Sequence, residues 1–284
     1  MPRDLDDALN YLTGNPSGTL PVAAGTDLLP LIHRKKALAK NLLDLSGLKE
    51  LRYIKRERGT VRIGALTTIA DLEAQEDDSA WGRLLADAVG KFGSPNIRTV
   101  ATIGGNVCAA SSSEDLIPVF LVLDAKVKLI RRTEAREIPL QEFLVAKRKT
   151  ALHADEILAE VSFSEPSART ACSFQKLGMR NTLIIALVSV AVFLETDDAR
   201  STILQARIAL NRLKGKIPQR AERVEMELIG RRFDEGTIKS AVDRLGDELA
   251  LTSYFRVSAE YSEEAVKVLL RRALSDCRQR ILGK

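Results

Sequence analysis

Apolar residues near the start of the chain are spaced as on one side of an α-helix. Leu5, Leu9 and Leu12 fall on one helical face, and Asp4 in front of them is a typical N-cap residue. The same apolar spacing recurs between residues 79 and 92. Both segments are therefore predicted to be helices with one buried face.

Short apolar runs and alternating patterns predict the strands. Arg58-Gly59 separates two alternating runs and predicts a hairpin over residues 53–63. Ser164–Ala168 is polar and contains proline, which makes it the best linker candidate. Long strands and then helices follow it, in the order typical of an α+β arrangement. The other predicted strands cover residues 19–24, 126–130, 156–163, 171–177, 185–194 and 202–210, and the last helices lie around 221–229, 235–250 and 262–282.

The predicted strand over residues 19–24 runs directly into a turn made of Gly25, Thr26 and Asp27. A second helical pattern begins at Leu28. Strand, turn and helix in this order are typical of phosphate-binding turns, in which backbone amides face the anion. By itself the turn is weak evidence, because Gly-Thr-Asp is also a common turn and helix cap.

A second unusual segment, residues 102–118, joins a predicted Gly-Gly turn to a run of mostly polar or very small side chains. Gly104 and Gly105 allow a backbone to approach a bound group closely and to adopt a positive φ. Hydroxyl and amide groups follow, and Asp115 adds a hydrogen-bond acceptor. The segment predicts contact with a flat or anionic ligand, although an ordinary surface loop has a similar composition.

These two segments resemble the two FAD-binding signatures of the flavoprotein subunit of molybdenum hydroxylases, a group that includes xanthine and carbon monoxide dehydrogenases. The first is Val22-Ala-Ala-Gly-Thr-Asp-Leu-Leu29. The second is Thr102-Ile-Gly-Gly-Asn106 with Ser111 and Asp115 after it. The motifs stand in the family's order and the resemblance covers nearly the whole chain, so it is specific.

The resemblance implies an α+β fold with two domains. Residues 1–165 are expected to form a two-lobed FAD-binding domain of the vanillyl-alcohol-oxidase/PCMH type, with lobes near 1–55 and 56–165. Residues 170–284 are expected to form a smaller C-terminal domain of the CO dehydrogenase flavoprotein type, made of a three-stranded antiparallel sheet and helices.

The resemblance also implies which residues hold noncovalent FAD, because the family clamps the pyrophosphate and ribityl chain between the two segments. Phe92 stands where xanthine dehydrogenase relatives stack a phenylalanine on the isoalloxazine ring, with an ordinary core residue as the alternative. Lys176 and Arg180 resemble a Lys-x-x-x-Arg pattern at the flavin edge, with a solvated strand end as the alternative. The expected cofactor-binding residues are Ala23, Ala24, Gly25, Thr26, Asp27, Leu28, Phe92, Thr102, Ile103, Gly104, Gly105, Asn106, Ser111, Asp115 and Lys176.

Two positions depart from the family's pattern. Relatives usually have Gly-Gly-Thr-Asp where this chain has Ala24 before Gly25, and a methyl group fits there if φ is negative. Ile184 replaces an aspartate that relatives often have, and Ile185 offers no ring for stacking. These departures motivate an alternative function, a scaffold subunit that keeps the fold but binds FAD weakly or not at all.

Composition limits the class of protein. Of 284 residues, 45% are hydrophobic and 29% are charged, the balance of a soluble globular protein. The longest apolar segment, residues 183–194, is too short to span a bilayer, and the first residues show no signal-peptide core, so a cytoplasmic location is expected. The net charge of +5 is scattered over short basic runs such as 147–149, and only 5% of residues are aromatic, so nucleic-acid binding is not expected.

Cysteine and histidine content decides which redox centres this chain can hold. Cys108, Cys172 and Cys277 lie far apart without C-x-x-C spacing, so neither an iron–sulfur cluster nor a usual zinc site is expected. His33 and His153 belong to no catalytic or metal-binding motif. No catalytic acid, base or nucleophile is predicted, and dinucleotide and phosphate-loop motifs are absent from the sequence.

The predicted function is electron relay. By resemblance, a molybdenum-cofactor large subunit oxidises the substrate and a [2Fe-2S] small subunit passes single electrons on. FAD on this chain would collect two electrons and reduce an external acceptor such as NAD, quinone, oxygen or a carrier protein. A stand-alone flavin oxidoreductase is a further alternative.

Overall fold

The computed structural model describes residues 1–37, 39–178, 186–211, 217–246, 249 and 257–283. The chain divides into two compact units that are not contiguous in sequence. The first unit comprises residues 1–74, 94–110 and 124–164, and the second comprises 75–93, 111–123 and 165–284. Two segments from within the first 165 residues thus belong to the second unit, while the domain limits predicted from the sequence remain a prediction.

The helices and strands are numbered in chain order. The helices are α1 (Leu5–Gly14), α2 (Leu28–His33), α3 (Ile69–Glu73), α4 (Ala80–Val89), α5 (Pro95–Arg98), α6 (Ile103–Ala109), α7 (Leu116–Val122), α8 (Leu140–Phe143), α9 (Glu222–Leu228), α10 (Glu235–Leu245) and α11 (Ala259–Leu282). The strands are β1 (Thr19–Val22), β2 (Asn41–Asp44), β3 (Ile54–Glu57), β4 (Thr60–Gly64), β5 (Lys126–Arg131), β6 (Glu134–Pro139), β7 (Leu144–Ala146), β8 (Lys149–Thr150), β9 (Ile157–Ser164), β10 (Thr170–Gly178), β11 (Ala186–Thr196), β12 (Ile203–Leu210) and β13 (Gln219–Arg220).

The first unit contains a five-stranded antiparallel sheet in the order β3-β4-β9-β5-β6 and a parallel pair, β1 and β2. The predicted helix α1 is confirmed, and the Asp4 side chain caps it by accepting the N–H of Asp7 at 2.8 Å. Its Leu9 and Leu12 pack with Leu43 of β2 in one apolar cluster. The α1 face that the spacing indicated is therefore the buried face.

Two local features of the first unit, one of them the predicted hairpin turn, depend on neighbouring residues. Arg58 and Gly59 join β3 to β4 with φ angles of 51° and 74°, the pair of positive values that a two-residue hairpin turn requires. Thr68 begins α3, and its hydroxyl accepts the N–H of Asp71 while the Asp71 carboxylate accepts the N–H of Thr68. Thr68 also forms an isolated antiparallel bridge with Thr102, which fixes the start of α6.

The second unit is built on an antiparallel sheet in the order β10-β11-β12-β13. The three long strands predicted from the sequence are confirmed within one or two residues at each described end, and Ile185 lies outside the described residues. The two-residue edge strand β13 was too short to predict. Val190, Val192 and Leu194 of β11 pack in one cluster with Leu269 and Leu270 of α11. The α+β fold class is thus confirmed.

Helix α7 is apolar on every side, and all its residues from Leu116 to Val122 are buried. It belongs to the second unit and packs against β11 and β12. A helix without a polar face needs neighbours all around it. Neither α7 nor any other helix in the described ranges is long and apolar enough to cross a membrane.

Candidate functional site

The turn between β1 and α2 leaves a row of backbone amides unused. Among the described residues, none of the N–H groups of residues 23–28 donates a hydrogen bond to another protein group. Gly25 has a φ of 71°, and a Cβ there would meet the Leu29 side chain at 2.7 Å. Ala24 is not among the residues with positive φ, so its methyl group fits the backbone. Consecutive free amides are a suitable surface for anionic oxygens.

Helix α6 corrects one expectation from the sequence. The turn expected at Gly104 and Gly105 is wrong, because both lie inside α6 and neither has a positive φ. The Thr102 hydroxyl caps the helix by accepting the N–H of Gly105 at 3.1 Å. The N–H of Gly104 donates to the Ala65 carbonyl at 2.8 Å, and a Cβ on Gly104 would meet the Ala65 Cβ at 2.8 Å. Gly104 thus serves close backbone packing, whereas Gly105 is exposed.

Two more residues of the second segment have buried side chains. Ile103 is fully buried and its N–H donates to the Thr67 carbonyl at 3.0 Å. Asn106 is also buried, with its N–H bonded to the Thr102 carbonyl at 3.0 Å. Ile103 therefore presents neither its side chain nor its N–H to a ligand.

Arg148 lies in neither of the two cores of the FAD signatures, but it contacts Asp27 of the first and Ala110, just after α6, within the first unit. Its Nη2 lies 3.0 Å from Oδ1 of Asp27, and its Nη1 contacts the other carboxylate oxygen. Its backbone N–H donates to the carbonyl of Ala110, the residue after α6, at 2.9 Å. Asp27 consequently makes no side-chain cap on α2. Sequence reasoning missed Arg148 because it placed the basic run 147–149 among scattered surface charges.

On the second unit, Asp115 and Lys176 form a buried ion pair. Lys176 Nζ lies 2.5 Å from Asp115 Oδ2 and 2.9 Å from the Lys91 carbonyl, and the two side chains are only 4% and 8% exposed. Lys176 is therefore not a solvated strand end. Asp115 Oδ1 is buried and accepts no hydrogen bond from the described residues. Burial raises the pKa of Asp115 to about 6, against the opposing effect of Lys176.

The remaining predicted residues of the second unit are Phe92 and Ser111. Phe92 follows α4, its N–H donates to the Val89 carbonyl at 2.9 Å, and its side chain is half-buried rather than part of the closed core. Ser111 is buried, with its hydroxyl 3.1 Å from the Ser113 hydroxyl. Arg180 and Ile184 lie outside the described residues.

The part of the chain that the structure describes contains no cluster of histidine, cysteine and carboxylate side chains that could hold a metal ion. Cys108 is half-buried, Cys172 and Cys277 are buried, and all three are free thiols. On the first unit, the groups suited to ligand binding are thus the amides of the turn 23–28 and the exposed surface of α6 at Gly105. On the second unit, the corresponding group is Oδ1 of Asp115.

Family models match both parts of the sequence. The model described as the FAD binding domain in molybdopterin dehydrogenase matches residues 1–165. The model described as the CO dehydrogenase flavoprotein C-terminal domain matches residues 173–277.

Individual proteins match over nearly the full length. The chain is 31% identical over 265 residues to the nicotinate dehydrogenase FAD-subunit of Eubacterium barkeri, covering 92% of this chain and 89% of that one. It is 28% identical over 274 residues to the xanthine dehydrogenase FAD-binding subunit of Escherichia coli O157:H7, covering 96% and 92%. A chain in the structure of carbon monoxide dehydrogenase from Hydrogenophaga pseudoflava, which lacks the Mo-pyranopterin moiety, superimposes with a TM-score of 0.91 at 27% identity, covering 98% and 96%.

Proposed function

Because the chain belongs to the family of FAD-binding subunits of molybdenum hydroxylase-type dehydrogenases, we propose that it is the electron-relay subunit of such an enzyme. When bound, FAD accepts two electrons in its isoalloxazine ring. We propose that a [2Fe-2S] small subunit supplies them and that a large subunit with the molybdenum cofactor oxidises the substrate. An external acceptor, such as NAD or a quinone, then takes the electrons.

The turn 23–28 carries this proposal. FAD contains a diphosphate, and the free amides of the turn offer a row of donors to its oxygens. The proposed contacts on the first unit are Ala23, Ala24, Gly25, Thr26, Asp27, Leu28, Thr102, Ile103, Gly104, Gly105 and Asn106.

The proposed contacts on the second unit are Phe92, Ser111, Asp115 and Lys176. Asp115 Oδ1 is buried and accepts nothing from the described residues, so it can accept a hydrogen bond from an N–H or hydroxyl of the cofactor. Phe92 is half-buried, which leaves part of its ring available for stacking.

The cytoplasmic location remains a prediction.

The test is purification of the full chain with the proteins that bind it natively, followed by flavin, iron and molybdenum analysis. We expect about one FAD per chain and co-purification of iron- and molybdenum-containing subunits. Removal of FAD should stop electron transfer to the external acceptor while the iron–sulfur centres are still reduced by substrate. An iron- and molybdenum-containing complex without flavin would instead support the scaffold alternative.

A further inference from the structure

We propose that Arg148 is a binding determinant for the FAD diphosphate, neutralising Asp27 and directing its remaining N–H groups at the diphosphate held by the turn 23–28. This inference rests on the proposed function. It assigns a role to a residue outside both FAD signatures. The turn 23–28 contains no positively charged side chain, and Arg148 supplies one.

The guanidinium of Arg148 is only partly used by the protein. A guanidinium has five N–H donors, and Arg148 uses one on Nη1 and one on Nη2 to hold the two oxygens of Asp27. Within the described ranges, the remaining N–H groups of the guanidinium donate to no protein acceptor. The two side chains are 35% and 42% exposed, so a ligand can reach them. Arginine binds phosphate oxygens through two N–H groups at once, which suits a diphosphate.

The position of Arg148 is fixed at both ends. It lies between β7 and β8 with a φ of 63°, a conformation that side-chain-bearing residues rarely adopt. Its N–H bond to Ala110 holds the backbone against the end of α6, and Asp27 holds the side chain. A long arginine side chain that is held in this way loses little further freedom when a ligand binds.

Charge gives the second reason. Asp27 belongs to the same turn as the free amides, and its carboxylate would repel a diphosphate brought to those amides. Arg148 cancels this negative charge by pairing with both carboxylate oxygens. The turn therefore binds an anion well only when Arg148 is present, and the need for Arg148 should decrease when Asp27 is neutral.

The experiment measures FAD, ADP and riboflavin affinity of the flavin-free full chain carrying Arg148→Met. Arg58→Met is the matched control, because Arg58 is also an arginine in the left-handed region, φ 51°, between two strands of the first unit. We expect Arg148→Met to weaken FAD and ADP binding by about tenfold or more and to leave riboflavin, which has no phosphate, unaffected. Arg58→Met should bind all three ligands like the parent chain.

Neutralising Asp27 separates direct binding of the diphosphate by Arg148 from cancellation of the Asp27 charge. Asp27→Asn combined with Arg148→Met should recover part of the lost FAD affinity, and Arg148→Lys should retain more affinity than Arg148→Met. Parental FAD and ADP affinity in Arg148→Met would overturn the inference and leave the proposed function intact, whereas a parent chain that binds no FAD would overturn the proposed function itself. Equal losses for riboflavin and FAD would show that Arg148 only stabilises the turn, which also overturns the inference. If Arg148→Met does not fold, Arg148→Gln, which also removes the charge, gives the same comparison with and without Asp27→Asn.

Discussion

Lys176 binds only one of the two carboxylate oxygens of Asp115. Its Nζ lies 2.5 Å from Oδ2, while Oδ1 is buried and accepts no hydrogen bond within the part of the chain that the structure describes. A buried carboxylate oxygen without a donor is costly, because it has lost its hydration without replacement. The raised pKa of Asp115, about 6, expresses this cost.

We expect the stability that Asp115 contributes to decrease as pH rises. The pKa is about 6 in the folded chain, against 3.8 for an unperturbed aspartate, so between these values the folded chain keeps a proton that the unfolded chain has released. The contribution is therefore fully present below the lower value and is lost as pH rises through about 6. Urea unfolding gives the free energy of unfolding of the flavin-free parent and of Asp115→Asn. The parent value minus the variant value should decrease as pH rises, by on the order of 1–3 kcal/mol. A difference that stays constant with pH would contradict this prediction.

The paired glycines of α6 should separate stability from cofactor binding. Gly104→Ala places a Cβ 2.8 Å from the Ala65 Cβ and 2.9 Å from its carbonyl oxygen, so we expect a loss of about 1–3 kcal/mol in unfolding free energy. Gly105→Val adds bulk at an exposed position, where a Cβ would lie 3.0 Å from the Thr102 hydroxyl. We expect this variant to fold and to lose FAD. Thermal melting and flavin stoichiometry of both variants provide the test, and a folded Gly105→Val chain with a full complement of FAD would rule out the contact.

Phe92 provides a test of flavin stacking. Since its side chain is half-buried, Phe92→Ala should cost less than the roughly 3–5 kcal/mol typical of a closed-core phenylalanine. If the ring contacts the isoalloxazine, the variant should keep its fold and change the visible flavin spectrum or the reduction potential. One sample serves for both a melt and a spectrum. A large fall in melting temperature with an unaltered spectrum would refute the stacking role.

The isolated chain should oxidise no small molecule at an appreciable rate. We propose that its site holds a flavin, whereas the large subunit would perform the substrate chemistry. The measurement is turnover of aldehydes and purines by the purified full chain with an artificial electron acceptor, with the native complex as the positive control. Robust turnover by the chain alone would favour the stand-alone oxidoreductase.

Local signals explain which elements could be predicted from the sequence. The cap at Asp4 and the turn at Arg58-Gly59 depend on neighbouring residues only, and both form as expected. The paired glycines predicted a turn because glycine readily adopts a positive φ. That expectation failed because the cap at Thr102 and the close packing of Gly104 on Ala65 stabilise α6. The packing of Gly104 on Ala65 is a tertiary contact without a local signal, whereas a threonine N-cap such as Thr102 is a local one.

The sequence could predict only those parts of the candidate site whose residues are adjacent in a motif. The turn at Gly25 was identified because the glycine and the flanking strand and helix are adjacent in sequence. The contact between Arg148 and Asp27 joins residues 121 positions apart, so no spacing rule indicates it. Likewise, the burial of Lys176 against Asp115 depends on packing within the second unit rather than on its flanking residues.

The membership of α7 in the second unit constrains how the protein is made. The ribosome synthesises Leu116–Val122 well before β11 and β12, the strands that cover this helix and that end at Leu210. At about 5–20 residues per second, the nascent chain carries an uncovered apolar segment for several seconds. A truncation near residue 165 would make that exposure permanent. We therefore expect fragments that end there to aggregate or to need a chaperone, so the chain is best expressed whole.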